Sequence, residues 1–242
     1  TIPSEVLKHI KDIRYWFLDP RYRTKENKNR HDWYVNSLLN KFVLLPTGEV
    51  TLIERGNPSG QISTTSDNIM VNTFLSAFEY KYQAIRENRL VYPEQYFQEH
   101  RDICYGDDRL SGIYGYLPDK DMLIDMYAKV FGMWVKPEKF ILHKGIAGSS
   151  FCGFTFKKNK QGYWVGEVNT DKLLSTLKEP IKSLPDIEAL WAKLVSLRLL
   201  SEYSGKETKE LLDKSIARVE DAMLAEGIEP VKLPRHFYKQ LW

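Results

Sequence analysis

Apolar residues recur at helical spacing from the start of the chain. Val6, Leu7, Ile10, Ile13 and Phe17 share one face over residues 4–17, with Ser4 as the candidate N-cap and Pro20 as the stop. A polar, basic loop follows to about residue 30, then a short helix over residues 31–39. The stretch KFVLLPTGEVTLIER, residues 41–55, places two β-rich runs around Pro46–Glu49 and predicts a hairpin. GNPSG, residues 56–60, is a concentrated turn signal. A long helical pattern then runs from Gln61 to about Arg86, with Thr64 and Asn68 one turn apart.

Residues 92–100 fit neither period cleanly. Residues 101–116 divide into two apolar runs around Gly106-Asp107-Asp108, a second hairpin. A helix starts at Asp119 or Asp121, continues through Leu123, Met126, Tyr127 and Val130, and closes at Phe131–Met133. A short strand is predicted over residues 140–143. Residues 150–156 and 163–168 are strands joined by KKNKQG, a third hairpin. The character changes near residue 170: two amphipathic helices, 187–203 and 208–226, flank Ser204-Gly205-Lys206.

Composition bounds the chain without specifying it. Its 242 residues, 43% hydrophobic and 28% charged, suit one large globular domain or two small ones. A formal charge of +3 permits a nucleic-acid partner without demanding one. The basic residues of the 11–31 region could edge a template or nucleotide channel, or coat a solvated loop. Cys104 and Cys152 do not make a disulfide framework and read as small buried thiols in a reducing compartment. No apolar stretch approaches a transmembrane length and no signal peptide is evident. His31, His100 and His143 lack zinc-ligand spacing. An opening TIPSEV without methionine reads as part of a longer, processed polypeptide.

The sharpest feature is ICYGDDRL, residues 103–110. Two adjacent carboxylates in a tight turn repel each other unless a cation compensates. Hard divalent cations take oxygen ligands and keep waters or substrate phosphates in their shell. Gly106 permits the turn. An ordinary exposed turn accounts for Gly-Asp-Asp taken alone equally well, but its apolar flanks place the pair at the mouth of a core.

YGDD in a strand–turn–strand resembles the palm motif of RNA-directed RNA polymerases of positive-strand RNA viruses. SGQISTTSDN, residues 59–68, fits that family's pattern of Ser-Gly, three residues, Thr, three residues, Asn, and lies upstream of the aspartates as in the family. FGMWVKPEK, residues 131–139, resembles the palm segment ending in a catalytic lysine. FCGFTF, residues 151–156, resembles the hairpin that grips the primer strand. The opening TIP, with GNPSGQ and YGDDRL, is most similar to astrovirus polymerases. The resemblance covers nearly the whole chain, more weakly in its helical end.

What the resemblance implies is an α+β fold: a right-hand polymerase palm with an antiparallel sheet and part of the fingers over residues 1–168, then a mostly helical thumb over 169–242. It implies template-directed transfer of ribonucleotides to an RNA 3′ end with pyrophosphate release, using Mg²⁺ or Mn²⁺. Asp107 is then the main metal ligand and Asp108 its support. Ser59, Gly60, Thr64 and Asn68 form the nucleotide-binding set, with Asn68 at the ribose 2′-hydroxyl. Lys139 serves the leaving pyrophosphate, with Lys136 as competitor. Arg109, Lys157 and Lys158 are candidate RNA contacts; charge balance or a structural salt bridge is as good a reading for Arg109, and solvated loops for the lysines. A further metal-binding aspartate is expected just upstream of the segment resembling Thr1–Pro3, so the fragment alone is expected to be inactive. Expected partners are template, primer or nascent RNA, ribonucleoside triphosphates and other viral replication proteins, in host cytoplasm on membrane-associated complexes. The rivals are a reverse-transcriptase-like polymerase, disfavoured by the motif containing Asn68, and a non-catalytic RNA-binding module.

Overall fold

Helix α1 spans Ser4–Trp16 in the computed structural model, which describes residues 1–178 and 182–239. Ser4 lies inside the helix. Pro3 takes the cap position, and the Ser4 hydroxyl instead donates to the carbonyl of Glu54. α2, Lys25–Leu39, begins six residues earlier than the sequence pattern predicts. Thr24 caps it, accepting from the Asn27 amide at 3.2 Å, and the Glu26–Arg30 and Lys28–Asp32 pairs lie one turn apart. Charges expected in a loop are thus spread over a helix surface. β1, Lys41–Leu44, and β2, Val50–Ile53, form the predicted antiparallel hairpin.

α3, Thr64–Arg86, organises the first compact unit, Thr1–Leu142. Its Val71 and Leu75 pack with Val6 and Ile10 of α1 and with Leu123, Met126, Tyr127 and Phe131 of α5, Lys120–Phe131. Each buried apolar side chain of this size contributes about 1.5–3 kcal/mol. Asp119 caps α5, and left-handed Gly132 ends it. The ambiguous segment forms α4, Pro93–Glu99, started by its proline. β3, His100–Tyr105, and β4, Asp108–Ile113, are the second predicted hairpin. Residues 140–143 form no strand; a 3₁₀ turn, Pro137–Lys139, precedes them.

The second unit, His143–Trp242, carries a three-stranded antiparallel sheet in the order β5 (Ser150–Phe151), β6 (Phe154–Lys158), β7 (Trp164–Val168). The strand expected over 150–156 is broken at Cys152-Gly153, where both residues have positive φ, 51° and 82°. Cys152 is therefore exposed at a turn, contrary to the expected burial, while Cys104 is half-buried. α6, Thr170–Lys178, α7, Ile187–Leu200, and α8, Lys206–Ala225, bury Leu173, Leu194, Val195, Leu197, Leu212 and Ile216 together. The whole is the predicted mixed α+β fold with antiparallel sheets.

Candidate active site

Tyr105 pairs with Asp108 across the second hairpin, leaving Gly106 and Asp107 as a two-residue loop. Gly106 has φ +60°, while Asp107 is not in the left-handed region, the pattern of a type II′ turn. Nothing lies within 4 Å of where a Gly106 Cβ would stand, so backbone conformation rather than crowding demands glycine there. Both aspartates are exposed at the tip.

Strand alternation sorts the hairpin's side chains. His100, Asp102 and Cys104 of β3 share a face with Arg109, Ser111 and Ile113 of β4. This inner face is largely polar. Ser76 of α3 bonds both His100, at 3.0 Å, and Asp102, which also accepts from Ser111 at 2.5 Å and Tyr96 at 3.1 Å. Burial would raise the Asp102 pKa, but bonds from His100, Ser111 and Ser76 outweigh it and hold the carboxyl well below its ordinary value. Ile103 and Tyr105 are 59% and 62% exposed, so the aspartates sit above a satisfied polar network rather than at the mouth of an apolar core.

Arg109 donates to both oxygens of Glu79, at 2.6 and 2.8 Å, and Tyr127 donates to the same carboxylate. Its guanidinium therefore points at α3 and not at Asp108, which lies on the opposite strand face. The structural ion pair is the role this geometry supports for Arg109. Asn72, one turn beyond Asn68 on α3, donates to the Gly106 carbonyl at 2.8 Å.

The nucleotide-binding candidates gather at the N-terminal end of the same helix. Ser59 and Gly60 are exposed in the turn before α3, and Gly60 has φ +86°. Thr64 Oγ1 lies 2.7 Å from the Pro58 carbonyl and 2.9 Å from that of Gln61, pinning this turn to the helix. Asn57 donates to Asn68 Oδ1 at 2.9 Å, which leaves Asn68 its NH₂ group to offer a ligand. Beneath them Asp67 is fully buried and accepts from Lys11 (2.6 Å), Arg14 (2.5 Å), Gln61 (2.6 Å) and Ser63 (2.9 Å). Burial opposes the Asp67 charge, but these donors, Lys11 and Arg14 foremost, keep its pKa below the ordinary value.

Lys139 lines a cavity of about 180 Å³ together with Glu79, Arg109, Leu110 and Ser111, whereas Lys136 lies over the Trp134 ring. Lys157 pairs with Glu167 at 2.6 Å and Lys158 lies over Trp164, both within the second unit. Asn57, Asp67, Asn72 and Glu79 did not stand out in the sequence, and Lys11, read there as part of the basic 11–31 region, is instead committed to Asp67. Asn72 had a usable signal, its four-residue spacing from Asn68.

Among the described residues, Asp12, His31 and Asp32 bring ligand atoms within 4.8 Å of one another and could hold a divalent metal. Sequence spacing hid this group because α1 and α2 meet only in three dimensions. Asp107 and Asp108 are not part of it. The all-oxygen donors of the aspartate pair nevertheless fit Mg²⁺, which is commonly bound through one or two carboxylates plus waters and substrate phosphates.

An antiparallel α+β unit whose central helix carries an amide-bearing face at one end and braces a paired-aspartate hairpin along its length defines a polymerase-palm type of site. The sequence pattern of the family described as viral RNA-dependent RNA polymerase matches residues 1–216. The chain is 46% identical over 246 residues to the non-structural polyprotein 1AB of Turkey astrovirus 1, and 41% identical over 246 residues to that of Human astrovirus-1. Each match takes in the whole chain and 15% or 16% of the relative, so the chain spans a small part of the polyproteins it matches. The crystal structure of an insertion-loop deletion mutant of a human picobirnavirus RNA-dependent RNA polymerase has the same fold, with TM-score 0.64 and 17% identity over 92% of this chain and 41% of that one. The chain belongs to the viral RNA-dependent RNA polymerase family.

Proposed function

We propose that this chain is the palm-and-thumb part of an astrovirus-type RNA-directed RNA polymerase, with residues 1–168 as palm and part of the fingers and 169–242 as thumb. By packing, β5–β7 belong with the helical unit; their motif assigns them to the palm. The reading is carried by one observation: α3 presents Thr64 and Asn68 while bracing the hairpin that bears Asp107 and Asp108.

Asp107 and Asp108 hold Mg²⁺, or Mn²⁺ in its place. When bound, paired metal ions activate the primer 3′-hydroxyl and stabilise the leaving pyrophosphate. The Asn68 NH₂ donates to the ribose 2′-oxygen, and the 59–63 turn directs the free N–H groups at the start of α3 toward phosphate. Lys139 gives a proton or a positive charge to the pyrophosphate. Lys157 and Lys158 contact RNA phosphates by exchanging their present partners. Arg109 is left out of the RNA surface because its guanidinium is committed to Glu79.

A third carboxylate comes from the polypeptide preceding Thr1. Among the described residues β4 pairs with β3 alone, and its open edge, beside the cavity bordered by Lys139–Leu142, is suited to a further strand. The 242 residues by themselves are then inactive. Template and primer RNA, ribonucleoside triphosphates and viral replication proteins are the partners, in the host cytoplasm. Among the described residues no helix is long and apolar enough to cross a membrane, so attachment to membrane-associated complexes runs through other proteins or segments.

The test is primer extension by the complete polymerase with ribo- and deoxyribonucleotides in parallel. Template-directed use of ribonucleotides supports the reading. Equal or preferred use of deoxyribonucleotides supports the reverse-transcriptase alternative, and RNA binding without extension supports the non-catalytic one.

A further inference from the structure

The tip of the β3–β4 hairpin has little else to hold it. Ile103 and Tyr105 are mostly exposed, and the two aspartates project into solvent. The deeper braces act lower on the strands: Ser76 reaches His100 and Asp102, and Glu79 takes Arg109. Asn72 alone of these α3 residues reaches the loop itself, with its Nδ2 2.8 Å from the Gly106 carbonyl. That carbonyl belongs to the peptide joining Gly106 to Asp107, so the bond sets the plane from which the Asp107 side chain departs. Thr64, Asn68 and Asn72 follow one another at four-residue intervals, about 6 Å per step along the helix.

We propose that Asn72 is a positioning residue that fixes the Asp107 carboxylate relative to Asn68, so that one helix sets the distance between metal binding and ribose recognition. The proposal rests on the polymerase reading. It requires no contact between Asn72 and substrate. Its effect passes through the 106–107 peptide, where a displacement on the order of 1 Å is enough to cost about 100-fold in rate.

The experiment uses the complete polymerase with Asn72→Ala, which removes the donor and suits a helix, and Asn72→Asp, which keeps the shape and sets a carboxylate against the carbonyl. For both, kcat for ribonucleotide addition is expected to fall about 10- to 100-fold, with nucleotide KM within about twofold. The ribo-to-deoxyribonucleotide preference is expected to stay, because Asn68 is intact. Independently of activity, amide exchange at Asp108, whose pairing with Tyr105 closes the turn, is expected to accelerate at least about tenfold while exchange at residues 100–103 does not. Wild-type kcat and tip exchange in both variants would overturn the proposal. So would a lowered melting temperature with kcat unchanged, which is what a merely structural residue gives. Should Asn72→Ala fail to fold, Asn72→Asp decides by the same two readouts. The wild type and Asp107→Ala run alongside separate the levels: if the wild type does not extend primer, the polymerase reading fails; if Asp107→Ala still extends primer, the metal-site assignment fails and the Asn72 proposal with it; if Asp107→Ala is dead while both Asn72 variants are normal, only the Asn72 proposal fails.

Discussion

Asp67→Ala should destabilise the start of α3 far more than an average substitution. Asp67 is fully buried, and Lys11, whose Nζ lies 2.6 Å from it, is only 4% exposed along its side chain. Arg14, the other cation, is 36% exposed and can turn to water. Removing the carboxylate therefore strands one charge, that of Lys11, with only Ser63 at 3.0 Å and Tyr34 at 3.3 Å as neutral partners among the described residues. Leaving a buried charge uncompensated costs about 3–5 kcal/mol, or roughly two to three and a half orders of magnitude in an opening equilibrium. Lys11→Met is the milder change, because Asp67 keeps Arg14, Ser63 and Gln61; about 1–3 kcal/mol is expected. Asp67→Ala with Lys11→Met removes both of these buried charges and should cost less than Asp67→Ala alone, giving a coupling of at least about 1 kcal/mol. Native-state amide exchange at residues 68–75 reads the opening free energy directly, without assuming that the whole molecule unfolds in one step. A cost below about 1 kcal/mol for Asp67→Ala, or additive effects of the two sites, would refute the reasoning.

Three further outcomes follow from the site. Asn68→Ala should reduce discrimination against deoxyribonucleotides by about two- to tenfold, the worth of one neutral hydrogen bond, measured as the ratio of kcat/KM values; an unchanged ratio removes Asn68 from the ribose. Lys139→Ala should lower kcat by about 10²–10⁴-fold while Lys136→Ala, whose ammonium rests on Trp134, stays near wild type; the reverse order in single-turnover rates would exchange their roles. Asp102 has a depressed folded-state pKa, so its stabilising contribution is complete above the ordinary carboxylate value of 3.8 and is lost as pH falls below it. The melting temperature should accordingly drop more steeply below about pH 4 in the wild type than in Asp102→Asn, and parallel curves would deny the Asp102 network this role.

The chemistry-bearing parts of the chain were the legible ones because they are local. A two-residue turn between β-rich runs and a four-residue spacing on a helix are written in consecutive residues, so the GDD hairpin and the Thr64–Asn68 face were both readable. What the sequence did not carry is what those elements rest on. Asp67 sits between Ser66 and Asn68 and looks like one more exposed polar residue; only the approach of α1 buries it against Lys11 and Arg14. The inner face of β3 looked apolar from Ile103 and Tyr105, but those side chains point outward and His100 and Asp102 point inward, because Ser76, Tyr96 and Ser111 satisfy them. Ser4 had the composition of a cap and found a better partner in the Glu54 carbonyl. The strand expected over residues 140–143 lacks a neighbour to pair with, and an unpaired strand does not form on pattern alone.

The central claim is that the metal ions of this polymerase sit at the tip of the β3–β4 hairpin, on Asp107 and Asp108. Among the described residues the structure offers one competing group, Asp12 with His31 and Asp32, and oxidative cleavage separates the two directly. In the complete polymerase loaded with Fe²⁺ in place of Mg²⁺ and treated with peroxide and ascorbate, backbone cuts are expected at residues 105–109, competed away by Mg²⁺ and absent in Asp107→Ala. Cuts confined to the neighbourhood of residues 12 and 31–32, with none at the hairpin and no effect of Asp107→Ala, would contradict the account.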